Sequence, residues 1–332
     1  DWADNAPDVS WMPAGGSVYF FGTFDGQGHT ISGLYAKDTR SVGLFSKTAK
    51  ECTIKNLILK NSYFEATYRA AGIAGEGAGT IESVYCDVII NAKDSSSTNG
   101  GRECGGFIGY MDNTTTISNS WFAGTMNIDT YSGGFVGNRY SRSLELTMNN
   151  CLMTGTINSN TTTATALCIG GLVGNNVSSS VKITDSMFLG RITTKASGAT
   201  KVGSLVGETG THATCTDVYA STKDTAVTVG SASTDPSGVT KRTEAQLMGD
   251  AAQTNASGLD WTNTWIAVQG QKPALRKFMS EVEGTCIDTS WYGNGSASEF
   301  TLMDAEDLLG FAYLLKTNYF NKKTVKLGAD IA

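Results

Sequence analysis

Proline, histidine and charge are all scarce in this chain: four prolines, two histidines and 17% Asp, Glu, Lys and Arg among 332 residues. No run of about twenty apolar residues occurs, so neither a spanning helix nor membrane insertion is expected. The opening Asp1-Trp2-Ala3-Asp4 has neither the basic start nor the apolar middle of a signal peptide, which places any export signal or anchor outside this stretch. Positive charge is the minority sign. A formal net charge of -6 repels phosphate backbones and anionic lipid and argues against a nucleic-acid partner. The seven cysteines are odd in number and no two have C-x-x-C spacing, so no metal site is expected, and nothing in the sequence asks for a cofactor.

What the chain does have is glycine, 39 residues, with Thr, Ser and Asn throughout. That composition fits many short strands joined by tight turns, and 40% hydrophobic residues suffice to bury a core. A small-Gly-apolar-apolar-Gly segment recurs as Ala71 to Gly75, Gly105 to Gly109, Gly133 to Gly137, Gly170 to Gly174 and, degenerate, Gly203 to Gly207. The last glycines are 34, 28, 37 and 33 residues apart, and Gly43-Leu44-Phe45-Ser46 looks like an earlier copy. A second segment keeps step with the first: Thr53-Ile54-Lys55-Asn56, Thr80-Ile81-Glu82-Ser83, Thr116-Ile117-Ser118-Asn119, Thr147-Met148-Asn149-Asn150, Lys182-Ile183-Thr184-Asp185 and Thr214-Cys215-Thr216-Asp217. Two short β-type segments per unit, with loops of varying length and no Asn-Gly or Asp-Gly at every turn, favour winding over hairpins. The expected fold class is all-β: a right-handed parallel β-helix in which each unit makes one coil and buries its face on the next.

The column Asn56, Ser83, Asn119, Asn150, Asp185, Asp217 fits a stacked turn position, where a short polar side chain bonds to the backbone of the next coil. Alternation then sends the first and third residues after it inward: Leu57/Leu59, Val84/Cys86, Ser120/Phe122, Cys151/Met153, Ser186/Phe188 and Val218/Ala220. Cys86 and Cys151 thus read as small buried hydrophobes without a disulfide partner in their columns. The second residue points outward, giving Ile58, Tyr85, Trp121, Leu152, Met187 and Tyr219. This apolar strip either binds a sugar ring or protein partner, with Tyr85, Trp121, Leu152, Met187 and Tyr219 as candidates, or lies beneath an inserted loop; the loop arrangement is the expected one.

The segment Phe21-Gly22-Thr23-Phe24-Asp25-Gly26-Gln27-Gly28-His29-Thr30-Ile31-Ser32-Gly33-Leu34, followed by the G-G-[FL]-[VI]-G units, resembles bacterial cell-surface proteins with GLUG-motif repeats. The resemblance covers about residues 11 to 278. It implies a β-helix with this segment in an early coil, and an extracellular or cell-surface setting, as in adhesin-like proteins and accessory regions of immunoglobulin A proteases. Gly22, Asp25, Gly26, Gly28, His29, Gly106, Gly134 and Gly171 are then residues of the structural motif. Thr243-Glu244-Ala245-Gln246-Leu247, Trp261-Thr262-Asn263-Thr264-Trp265 and Pro273-Ala274-Leu275 look like the closing segment of such a block. Residues 279–332 resemble the opening of a next one, with a helix from Asp304 to about Leu315 and a strand from Lys323 to Ile331. The expected division is therefore 1–278, the β-helix with its closing segment, and 279–332, a linker, helix and strand.

Asp25 and His29 invite an acid-base reading, but the D-G-x-G-H spacing fits a turn former and a coil residue better; His212 has no ligand pattern around it. β-helices also carry polysaccharide hydrolases and lyases, which need carboxylates, with Arg or Lys, on one face of neighbouring coils. Glu103, Asp112, Arg139 and Glu208 would be the candidates, yet they share no column. The expectation is a non-enzymatic structural or adhesive module, with no catalytic residue, whose partners are neighbouring copies of itself or adjacent tandem blocks and a host glycan or protein. The C-terminal segment is the expected means of head-to-tail assembly into a filament. The alternative is a carbohydrate-active enzyme.

Overall fold

The computed structural model describes residues 10–13, 18–38, 40–92, 102–139, 144–176, 180–199, 201–209, 213–222, 228–231 and 234–331. His212 lies outside them. The chain divides into two compact units, residues 1–241 and 242–332.

The first unit is a parallel β-solenoid of about six turns. Its register follows the sequence repeat: Thr23, Thr53, Thr80, Thr116, Thr147, Lys182 and Thr214 lie opposite one another on successive coils, all in parallel pairings. The glycine segments form a second ladder, in which Ala74, Ile108, Val136, Val173 and Val206 are in register. Each coil repeats the same alternation, so identical faces stack and a single apolar core runs up the middle. Phe107 and Phe135 stack within it at 4.7 Å between ring centroids.

The second segment of each coil bends at the polar column. Asn56, Ser83, Asn119, Asn150, Asp185 and Asp217 all have positive φ, between 48° and 58°. Asn and Asp tolerate this left-handed conformation better than most residues, which explains the column's composition. One such residue turns the strand without breaking its ladder. Four strands accordingly run on through their corners, Thr53–Ala66, Ala74–Ala92, Ile108–Phe122 and Glu145–Met153, which corrects the expectation of short segments throughout.

Side chains at and beside the column also bond to one another. Among the described residues, the column bonds between side chains of neighbouring coils: Asn56 Nδ2 donates to Asp25 Oδ1 and Asn150 Nδ2 to Asn119 Oδ1, each at 3.0 Å. Asn149 Nδ2 likewise donates to Asp185 Oδ2 at 2.9 Å.

The second unit begins with the segments read from sequence as closing the helix. Thr243 caps the short turn Glu244–Leu247 through a capping box with Gln246. Trp265–Val268 pairs antiparallel with Ala274–Leu275 and with Cys286–Ile287. The expected helix is found at Ala305–Leu314, its first turn capped by Asp304 Oδ1, which accepts from the Asp307 N–H at 2.9 Å. The expected strand is shorter, Thr324–Leu327, and pairs in parallel with Glu299–Leu302. Trp291, Tyr292, Phe300, Phe311 and Phe320 form the aromatic centre of this unit.

Candidate functional site

The outward column is not an exposed strip. Ile58, the most accessible member, is 9% exposed, and Leu152 and Met187 are fully buried. Its residues lie in register on successive coils, with Tyr85 edge-on to Trp121 at 5.1 Å and the Trp121 indole N–H donating to Thr154 Oγ1 at 2.7 Å. They stand apart from the central core yet are enclosed, so Tyr85, Trp121, Leu152, Met187 and Tyr219 offer no open face to a ligand.

The turn around Asp25 is built from local bonds. Asp25 Oδ1 accepts from the Gln27 N–H at 3.0 Å, and the His29 N–H donates to the Gly26 carbonyl at 2.8 Å. Gln27 and Gly28 between them both have positive φ, 52° and 80°, the pattern of a type I′ turn. Hydrogen bonds from Asn56 and the Gln27 N–H, with the Lys55 ammonium at 3.5 Å, hold the Asp25 carboxyl below its usual range. His29 is exposed.

A charged cluster forms where the first coils meet. Arg69 bridges two carboxylates, Glu76 at 2.5 Å and Glu103 at 2.7 Å, and its guanidinium lies 3.8 Å from the centre of the Tyr110 ring. Glu76 also takes Lys47 at 3.2 Å. Asn138 Nδ2 donates to the other oxygen of Glu103 at 2.8 Å. The Tyr19 hydroxyl lies 2.8 Å from Asp112 Oδ2 and 3.3 Å from Glu76 Oε1. Burial pushes the Glu76 carboxyl up, but the Arg69 guanidinium and Lys47 outweigh it and leave it lowered. Burial likewise pushes the Asp112 carboxyl up; the Tyr19 hydrogen bond opposes this, while the Glu76 charge adds to it, and the net shift is upward. The Tyr19 hydroxyl is itself held protonated by burial and by Asp112.

Of the four groups considered for an enzyme, Glu103 and Asp112 thus share this cluster. Arg139 bonds instead to the Leu144 carbonyl and, at 3.2 Å, to that of Ser180; Glu208 pairs with Lys201 at 2.8 Å. Sequence reasoning missed Tyr19, Lys47, Arg69 and Glu76. One signal was present: the residue after each final glycine gives Glu76, Tyr110, Asn138, Asn175 and Glu208, a polar column that the register aligns. Chemically, two carboxylates around one phenol could exchange a proton, but a carboxylate held by two cations is a poor base.

All seven cysteines are buried and free. Burial raises their thiols, Cys52 to about 11 and Cys151 to about 12, so thiolate chemistry near neutral pH is suppressed. Among the described residues no group of three or more His, Cys, Asp or Glu is placed to hold a metal ion.

No family model and no curated protein sequence matches the chain. Its fold is similar to that of a solved structure from Bacteroides ovatus, described as a "putative immunoglobulin A1 protease", with a TM-score of 0.60 and 18% sequence identity. The match covers 82% of this chain and 83% of that one. At that identity the likeness concerns the fold.

Proposed function

We propose that the chain is a non-enzymatic module of a secreted or cell-wall protein, exposed at the bacterial surface. The solenoid is a stiff scaffold, the loops between coils carry recognition of a host glycan or protein, and the ends join copies or adjacent tandem blocks. The observation that carries this reading is the pairing of Glu76 and Glu103 on Arg69: two of the cluster's three carboxylates are spent on ion pairs that tie neighbouring coils together.

A polysaccharide hydrolase or lyase is the second reading, favoured by Asp112 and Glu76 facing one Tyr19 hydroxyl with carboxyls pushed in opposite directions. The word protease in the name of the similar Bacteroides ovatus protein adds peptide bonds to the chemistry worth assaying. Incubating the purified chain with host and plant glycans and with immunoglobulin A, with product detection by mass spectrometry, separates the two. We expect no products. Turnover that Glu76→Gln or Asp112→Asn abolishes in a folded protein would overturn the non-enzymatic reading, whereas Asp25→Asn and His29→Gln are expected to change nothing.

A further inference from the structure

Two strand edges in this molecule carry matching unpaired patterns. Among the described residues, Thr23–Asp25 pairs only with the coil that follows it, through Thr53–Lys55, and Thr324–Leu327 pairs only with the strand that precedes it, Glu299–Leu302. Each is the outermost rung of a parallel stack. Thr324-Val325-Lys326 repeats the Thr-apolar-charged order of Thr53-Ile54-Lys55 and Thr23-Phe24-Asp25.

Among the described residues, the large hydrophobic side chains that are exposed are Met12, Val18 and Phe21, shortly before the first rung in the chain, and Met303, Leu308, Leu315, Tyr319 and Leu327, in the segment that ends with the last. Leu327 is 66% exposed, whereas Leu302, its register partner, is 2% exposed. The last rung therefore has an apolar face that its predecessor buries and it does not.

From these edges we infer that the chain binds a second copy of itself head to tail. The free edge of Thr324–Leu327 in one copy adds in parallel to the free edge of Thr23–Asp25 in the next, with Thr324 opposite Thr23, Val325 opposite Phe24 and Lys326 opposite Asp25. Charge selects this register. Glu299 and Lys326 are already paired at 2.6 Å, and Asp25 and Lys55 at 3.5 Å, with Glu82 opposite Lys55 on the following coil. Docking completes one alternating column, Lys326, Asp25, Lys55, Glu82, whereas the opposite faces of a two-fold dimer would put like edges together. The contact is heterologous, so it propagates into a filament or closes as a ring. The inference rests on the reading of the ends as joining elements and names their partner.

The test is sedimentation velocity on the full chain over a wide concentration range. Thr324 and Gly328 donate to the preceding strand, so alternation turns the Leu327 N–H toward the free edge. Leu327→Pro removes that donor alone. We expect concentration-dependent oligomers of the full chain and monomers of Leu327→Pro, with circular dichroism and melting unchanged. Lys326→Glu and Asp25→Lys should each weaken association at least about tenfold, since each sets like charges face to face. An equimolar mixture of the two should assemble again, because each meets its complement on the other. A monomeric full chain, or oligomers indifferent to Leu327→Pro and to the charge exchange, would overturn the inference. Catalytic turnover by an assembling chain would instead remove the non-enzymatic reading and leave this one standing.

Discussion

Single residues show most directly why the repeat has its composition. Gly134 has ordinary φ, yet a Cβ there would sit under 3.0 Å from the Gly171 carbonyl of the next coil and from the Met153 side chain across the core. Gly171 is hemmed in the same way by the Ser204 carbonyl and the Phe188 ring. Close approach, not dihedral freedom, is what demands glycine. Where serine takes this place, at Ser204, the residue in register with Phe188 is Ala220, so volume removed from one wall balances volume added to the other. Gly134→Val should therefore cost about 3 kcal/mol or more, read by urea denaturation. The Asp185 carboxyl offers a test of opposite sign. Burial, joined by the Asp217 charge in the next coil, raises it despite the bond from Asn149. A raised carboxyl is bound to its proton more readily in the folded chain, so stability falls as pH rises from the ordinary carboxylate range through the raised value. The cost is complete once the pH lies above the raised value. Asp185→Asn keeps an acceptor for Asn149 and matches the asparagines elsewhere in the column. It should stabilise by roughly 0.2–1 kcal/mol near neutrality, the gain vanishing in acid, as thermal melts over a pH series would show.

At the scale of elements, the charged cluster acts as a clasp between coils. Arg69 and Glu76 flank the glycine segment of one coil, Glu103 and Asn138 come from the two coils that follow, and the side chains are largely enclosed, with Arg69 14% exposed and Glu103 9%. Removing the shared cation leaves two carboxylates facing each other in a partly dry site. Arg69→Met is expected to destabilise by about 3 kcal/mol, and Arg69→Lys by less because one ammonium cannot serve both carboxylates in the guanidinium's fork. If the loss shrinks to a few tenths in chemical denaturation, the cluster is only a solvated surface network. The corner residues and strands were legible from the repeat, since both periods are written in the sequence. The clasp was not, because Arg69 and Glu103 lie outside both recurring segments and meet only once coils stack.

Over the whole molecule, a stack of coils should be least stable where a rung has one neighbour instead of two. Among the described residues, Thr23–Asp25 and Thr30–Ser32 pair on one side, whereas Ile108–Phe122 and Glu145–Met153 pair on both. Amide hydrogen exchange is expected to be fastest in the first rung and slowest in these central strands. At high protein concentration the first rung should gain protection if copies dock there. Uniform protection along the coils at low concentration would show that the unit opens as one body and not rung by rung.

The repeat by itself determined the class of fold, the register of the coils and the identity of the corner residues, because each coil must present the same alternation to its neighbours and the left-handed corner restricts which side chains fit. Composition and spacing likewise pointed to buried cysteines lacking a disulfide partner in their columns. Tertiary structure alone decided three things. It enclosed Tyr85, Trp121, Leu152, Met187 and Tyr219, since alternation fixes the side of a strand but not what covers it. It gathered Tyr19, Arg69, Glu76, Glu103 and Asp112 into one network, since the repeat gives the positions of these residues along the coils but not which side chains reach one another across them. And, among the described residues, it gave the strands Thr23–Asp25 and Thr324–Leu327 one neighbour each, since whether a strand has one neighbour or two depends on how coils are stacked and not on the strand's own residues.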